Sequence, residues 1–161
     1  MGRILKKTIF SITLITLLSS SLSACGGGLS TEEAGRKYLE IICPGNTAWL
    51  GDVELTDLKA LRAAAADARD IFQARAKGLS DPSIQWPSGV PELLKVLRKD
   101  ALSSVVYFEN LALAETLDDF WSDPPPDRSQ FSEVAQEVRL ILNLSADTVE
   151  SCKNYKKVNP D

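Results

Sequence analysis

A chain of 161 residues, 44% hydrophobic and 25% charged, has the make-up of one ordinary globular domain, and its composition is neither collagen-like nor that of a disordered chain. A formal charge of −4, with 22 acidic against 18 basic residues, argues against a nucleic-acid-binding surface. Histidine is absent and the single methionine is Met1, which removes Ser-His-Asp and Cys-His catalysis, histidine-ligated zinc or haem, and methionine-ligated haem or copper.

The first 24 residues read as a segment that is removed: Arg3, Lys6 and Lys7 precede an apolar run, IFSITLITLL over residues 9–18, and small residues follow it. The run is too short for a membrane span, which takes about 20 predominantly apolar residues. Leu22-Ser23-Ala24-Cys25 closes this segment, and the charged start, apolar run and LSAC together resemble the leader and lipobox of bacterial lipoprotein precursors. The resemblance implies cleavage before Cys25, a diacylglyceryl thioether on its sulfur, and usually an acyl group such as palmitate on its new amine. An ordinary secretory leader cut nearby would instead leave Cys25 as a free or paired thiol. Acyl chains contribute about 0.8 kcal/mol per buried methylene, so two or more of them tether a small domain to a membrane without spanning it. The expected address is a cell membrane or outer membrane, on the extracytoplasmic side, with Cys25 as the link and Gly26 to Gly28 in a flexible leash over residues 25–30. Loss of the leader removes three basic and no acidic residues, which takes the formal charge from −4 to −7.

With Cys25 assigned to lipid, Cys43 and Cys152 are left in a compartment where disulfides persist, and they are expected to pair. Such a bridge closes a loop of about 110 residues and stabilises by roughly 4–5 kcal/mol on the chain-entropy argument. The alternative, a reactive Cys43 near a helix end, has no vicinal cysteine and no histidine to activate it.

Helical spacing runs through residues 31–155, so the domain is expected to be all-α. A first helix starts at Ser30 or Thr31, carries Glu32 and Glu33 in its first turn, and continues through Tyr38, Ile41 and Ile42. Pro44 kinks or breaks it beside Cys43, with a resumption toward Trp49 and Leu50. A second helix starts at Thr56 and stops at Gly78, placed as a left-handed C′ residue, with Leu58, Leu61, Ala65, Ala68, Ile71 and Phe72 on one face. The alanines at 63–66 suit close helix packing. After a loop over 79–89, a third helix runs from Pro91 to about Trp121 with Leu94, Leu97, Ala101, Val105, Phe108 and Ala112 buried. DPPPD at 123–127 forms a stiff polyproline-like connector. A fourth helix, capped by Asp127 with Gln130 or by Ser129, buries Phe131, Val134, Val138, Ile141 and Leu142. Ser145 caps a last short segment carrying Val149 and Cys152, before a polar tail at 156–161. Short connectors favour a small antiparallel four-helix bundle with a kinked first helix, which one disulfide joins to the C-terminal segment.

Glu115, Asp118, Asp119, Asp123 and Asp127 gather around the end of the third helix without the ligand spacing of an EF-hand, and a solvated acidic helix end is the simpler reading. No catalytic residue, metal site or cofactor is assigned, and the chain is not expected to be an enzyme. Trp49, Trp86 and Trp121 lie near helix ends or in loops, where they close the core or form a binding surface, and Trp86, in a Pro-rich loop, is expected to be the most exposed. Asn143-Leu144-Ser145 fits a glycosylation acceptor pattern, taken as chance beneath a bacterial leader. The expected function is an envelope lipoprotein whose helical module binds another protein. The alternative is a small-ligand carrier with a pocket lined by Tyr38, Phe72, Phe108 or Trp121, and an enzyme built on Glu115 with Asp118 stands third.

Overall fold

Ser30 and Glu33 satisfy each other's backbone and start the first helix, α1, Thr31–Ile42. The Ser30 hydroxyl accepts from the Glu33 amide at 3.3 Å, while the Glu33 carboxylate accepts from the Ser30 amide at 2.9 Å. The computed structural model describes residues 28–46 and 53–158, and among the described residues every regular element is a helix. Pro44 has no amide hydrogen to continue the α ladder, and the chain tightens into a 3-10 turn, Cys43–Asn46. The expected resumption toward Trp49 and Leu50 lies outside the described residues.

Helix α2, Leu58–Leu79, is capped one residue later than expected, because Asp57 rather than Thr56 accepts from the Ala60 amide, at 3.0 Å. Gly78 is not the left-handed terminus: it stays inside α2, and the Ser80 hydroxyl closes the helix by donating to the Ala76 carbonyl at 2.9 Å. A glycine is needed there for another reason, since a Cβ at residue 78 would sit 3.0 Å from the Ile41 side chain where α1 crosses α2.

Gly89, at φ 85°, turns the chain into α3, Val90–Leu113, with Pro91 in the first turn. The third helix was expected to reach Trp121, but it ends at Leu113, and a separate α4, Leu117–Ser122, follows. Thr116 and Asp119 form a capping box that offers the backbone a new start in place of continuation. Helix α5, Ser129–Ile141, follows the proline run, with the Asp127 carboxylate accepting from the Ser129 amide at 2.9 Å. At its end Asn143 adopts φ 54°, and the Asn143 and Leu144 amides return to the Leu140 and Arg139 carbonyls. Helix α6, Thr148–Val158, is capped by Asp147, not Ser145, and it extends into the segment expected to be a polar tail.

Successive contacts pair Arg62 with Ala112, Arg69 with Glu109 and Phe72 with Phe108, so α2 and α3 run past each other in opposite directions. Their seam, with Leu61, Ala65, Ala68, Phe72, Phe108, Leu111 and Phe120 of α4, forms one apolar cluster. Tyr38, Ile42, Leu79, Val90, Leu94, Leu97, Val138 and Leu142 form a second at the α1, α5 and α6 end. Each fully buried Leu, Val or Phe in these clusters contributes about 1.5–3 kcal/mol. Helices α1 and α5, of 12 and 13 residues, span about 18–20 Å against about 33–36 Å for α2 and α3, of 22 and 24 residues. They therefore flank only one half of the α2–α3 pair.

Cys43 and Cys152 are bonded, with Cα atoms 5.2 Å apart, which fastens the 3-10 turn to α6. No described helix is long and apolar enough to cross a membrane.

Candidate functional site

Between the two apolar clusters α2 and α3 carry charged side chains where apolar ones would be expected. Arg75 follows Phe72 by one turn on the buried stripe of α2, and Asp100 follows Leu97 in the same way on α3. Arg128 at the start of α5 and Arg139 near its end face the same place. Together with Tyr38, Asn46, Ser132 and apolar Leu79, Leu97 and Phe131 they line a pocket of about 450 Å³, with Thr148 and Val149 of α6 at its rim. That volume lies in the usual range for small-molecule sites.

The Arg75 guanidinium is 6% exposed and stands 4.7 Å above the Phe72 ring. Its Nη2 donates to the Ile42 carbonyl at 2.5 Å and to Asn46 Oδ1 at 3.0 Å, so the 3-10 turn holds it. Gly45 lets the turn pass this close, because a Cβ there would lie 2.9 Å from Arg75 Cζ. Asp100, 4% exposed, accepts both forks of Arg128, from Nε at 3.0 Å and from Nη2 at 2.5 Å. Arg139, 8% exposed, donates from Nη2 to the neutral Gln136 side chain at 2.8 Å and lies against the Tyr38 hydroxyl. The Nε atoms of Arg75 and Arg139 are buried with no acceptor among the described residues.

Burial pushes the Arg75 pKa down from its ordinary value to about 10, the neighbouring Arg128 pushes the same way, and Asp100 partly opposes them. Arg75 is thus still a cation at neutral pH, held at an energetic cost on the order of 3 kcal/mol. Tyr38 is pushed up by burial, against the pull of Arg139 and Arg75. The pocket offers hydrogen-bond donors and positive charge, and the single carboxylate among its described lining residues is already bound by Arg128.

The residues singled out from the sequence do not meet here. Trp86, expected to be the most exposed tryptophan, packs half-buried against the cluster of α1, α5 and α6, with its indole N–H enclosed. Of the two described tryptophans the exposed one is Trp121, at 51%, its ring edge-on to Phe120 on α4. Trp49 and Cys25 lie outside the described residues. Of the four residues expected to line a pocket only Tyr38 does; Phe72 lies beneath Arg75, Phe108 is stacked behind Phe72, and Trp121 is on α4 at the other end. Glu115, Asp119 and Asp123 border a separate recess of about 410 Å³, where the Asp119 carboxylate accepts from the Thr116 amide in the capping box of α4. Among the described residues no group of His, Cys, Asp and Glu is placed to hold a metal ion. Arg75, Asp100, Arg128 and Arg139 went unmarked in the sequence reading, although a charge inside an apolar helical stripe was the available signal.

The chain matches no family model, and neither a curated protein nor a solved structure is significantly similar to it.

Proposed function

We propose that this chain is an extracytoplasmic lipoprotein, anchored to a cell membrane or outer membrane through acylated Cys25, whose helical domain binds a small molecule between its helices. The observation that carries the binding role is the pocket of about 450 Å³ floored by buried polar side chains with unused hydrogen-bonding capacity. The bundle reading belongs to the same proposal: α1, α2, α3 and α5 as an antiparallel four-helix bundle with a bent first helix, its site on the inside as in other bundles. Binding is proposed rather than turnover because Asp100, the one carboxylate among the described lining residues, has both oxygens taken by Arg128. A ligand-observed NMR screen of the purified chain should return hits that vanish in Ala135→Phe, which fills the pocket. Hits that persist in that variant would place binding elsewhere. For the anchor, Cys25→Ser should abolish incorporation of labelled palmitate and leave the leader attached; labelling that survives would refute it.

A second reading, a protein-binding envelope module, draws on Leu102, Val106 and Leu113. These side chains are exposed and fall on one face of α3. Crosslinking in intact cells, with Val106→Asp as the control, tests it: a specific partner lost in that variant supports it, and bystanders alone refute it.

A further inference from the structure

Accepting that the pocket binds a ligand, we propose that this ligand is a small organic anion, its carboxylate or phosphate taken by Arg75 and Arg139 and its apolar part lying against Leu97 and Phe131. The pocket shows what a matched arginine looks like there: Arg128 meets the Asp100 carboxylate through two donors in fork geometry. Arg75 and Arg139 are more deeply buried, yet the acceptors given to their Nη2 atoms are an amide, a peptide carbonyl and a second amide, all neutral. Each has an Nε with no acceptor among the described residues. Both act on the buried Tyr38 hydroxyl, so their charges converge on one locus.

Among the described residues the charged lining comprises three cations and one anion, in a chain that is acidic overall. A buried guanidinium without a counter-charge is unfavourable, and replacing a buried ion by an apolar side chain is often neutral or stabilising. A surplus of two buried cations therefore points to a group that arrives from outside. An oxyanion would give the Nε of Arg75 and of Arg139 the charged acceptor that each lacks, whereas a cation would be repelled and a neutral molecule would leave the charges unmatched. The apolar walls and the volume suit a molecule with a short hydrocarbon or ring beyond its acidic group.

The test is isothermal titration of the chain as purified from cells with four six-carbon probes: hexanoate, hexyl phosphate, hexanol and hexylammonium. At least one of the two anions should bind ten times more tightly than hexanol or hexylammonium, and which anion wins identifies the acidic group. Arg139→Met and Arg75→Met should each weaken that binding tenfold or more, whereas Arg36→Met, on the exposed side of α1, should leave it unchanged. Should an Arg→Met variant fail to fold, the Nε–H signals of Arg75 and Arg139 in the unsubstituted protein give the same answer by shifting on addition of the anion. Binding of hexanol as tight as that of hexanoate would overturn the anion proposal while leaving a ligand pocket in place. Failure of all four probes would overturn both. Anion binding unaffected by both arginine variants, with both Nε–H signals unmoved, would show that the charge is read elsewhere.

Discussion

At residue 45 the absence of a side chain decides what residue 75 can be. A methyl group added to Gly45 would press on the Arg75 guanidinium, which is fixed by the Ile42 carbonyl and Asn46 and cannot retreat through Phe72. Gly45→Ala is expected to destabilise by about 1–3 kcal/mol, as overpacking does. Combining it with Arg75→Met should recover most of that loss, because the shorter, flexible side chain yields; additive losses in the double-mutant cycle would show that the two residues do not share the space. Tyr38 offers a second residue-scale test. Burial raises its pKa above the unfolded value near 10, so its contribution to stability is whole below pH 10 and is lost as pH rises through the higher folded value. Arg75 has the opposite sign, since its folded value of about 10 lies below that of an unfolded arginine and stability returns as pH climbs between them. The stability difference between the unsubstituted protein and Tyr38→Phe, measured by urea unfolding, should be constant up to about pH 10 and then shrink. A difference flat through pH 11.5 would show that Tyr38 titrates no differently in the folded and unfolded chain.

Helix α1 reaches α2 because Gly78 admits Ile41, and this contact sets two local preferences against each other. Alanine is the better helix former by about 0.8–1 kcal/mol, but its Cβ would lie 3.0 Å from Ile41. Gly78→Ala should therefore lower the melting temperature in the unsubstituted background and raise it in an Ile41→Ala background; stabilisation in both would mean that the helices part freely. The same glycine shows how far the sequence could be read. Period and caps located the four main helices and the Pro44 break, since those depend on neighbours in the chain. Gly78 was mistaken for a terminus because its reason for being glycine is a contact with residue 41, on another helix. The division of α3 from α4 was in principle available, as Thr116-Leu117-Asp118-Asp119 is a capping box just beyond Ala112, the last residue of the expected apolar stripe. Thr116→Ala is expected to cost about 1 kcal/mol and to weaken amide protection in α4 alone. Loss spreading into α3 would show that the two helices fold as one. The arginine pocket was hidden for a different reason. Its meaning arises only when Arg75, Asp100, Arg128 and Arg139 come together from three helices, although each interrupts or borders an apolar stripe that could have been questioned.

Across the whole molecule, the two apolar clusters share α2 and α3 but depend on different fastenings. The far cluster is closed by the α2–α3 seam and Phe120, elements near one another in sequence. The near cluster gathers α1, α5 and α6 from opposite ends of the chain, and the bond between Cys43 and Cys152 spans a separation of 109 residues. Replacing both cysteines by serine should lower global stability by about 3–5 kcal/mol, because the unfolded chain regains the freedom of a long loop. The loss should also be uneven. The 3-10 turn that the disulfide anchors is the one whose Ile42 carbonyl and Asn46 hold Arg75, so slackening it loosens the pocket wall first. In the double serine variant, amide hydrogen exchange is expected to accelerate in α1 and α6 under conditions where Leu61 to Ala68 and Phe108 to Leu111 remain protected. Affinity for an anionic ligand, where one is bound, should then fall more steeply than the melting temperature alone would predict, because the donor geometry is lost before the fold is. Exchange that accelerates equally in all six helices would mean instead that the molecule opens as a single cooperative unit, with the disulfide acting on the unfolded state alone.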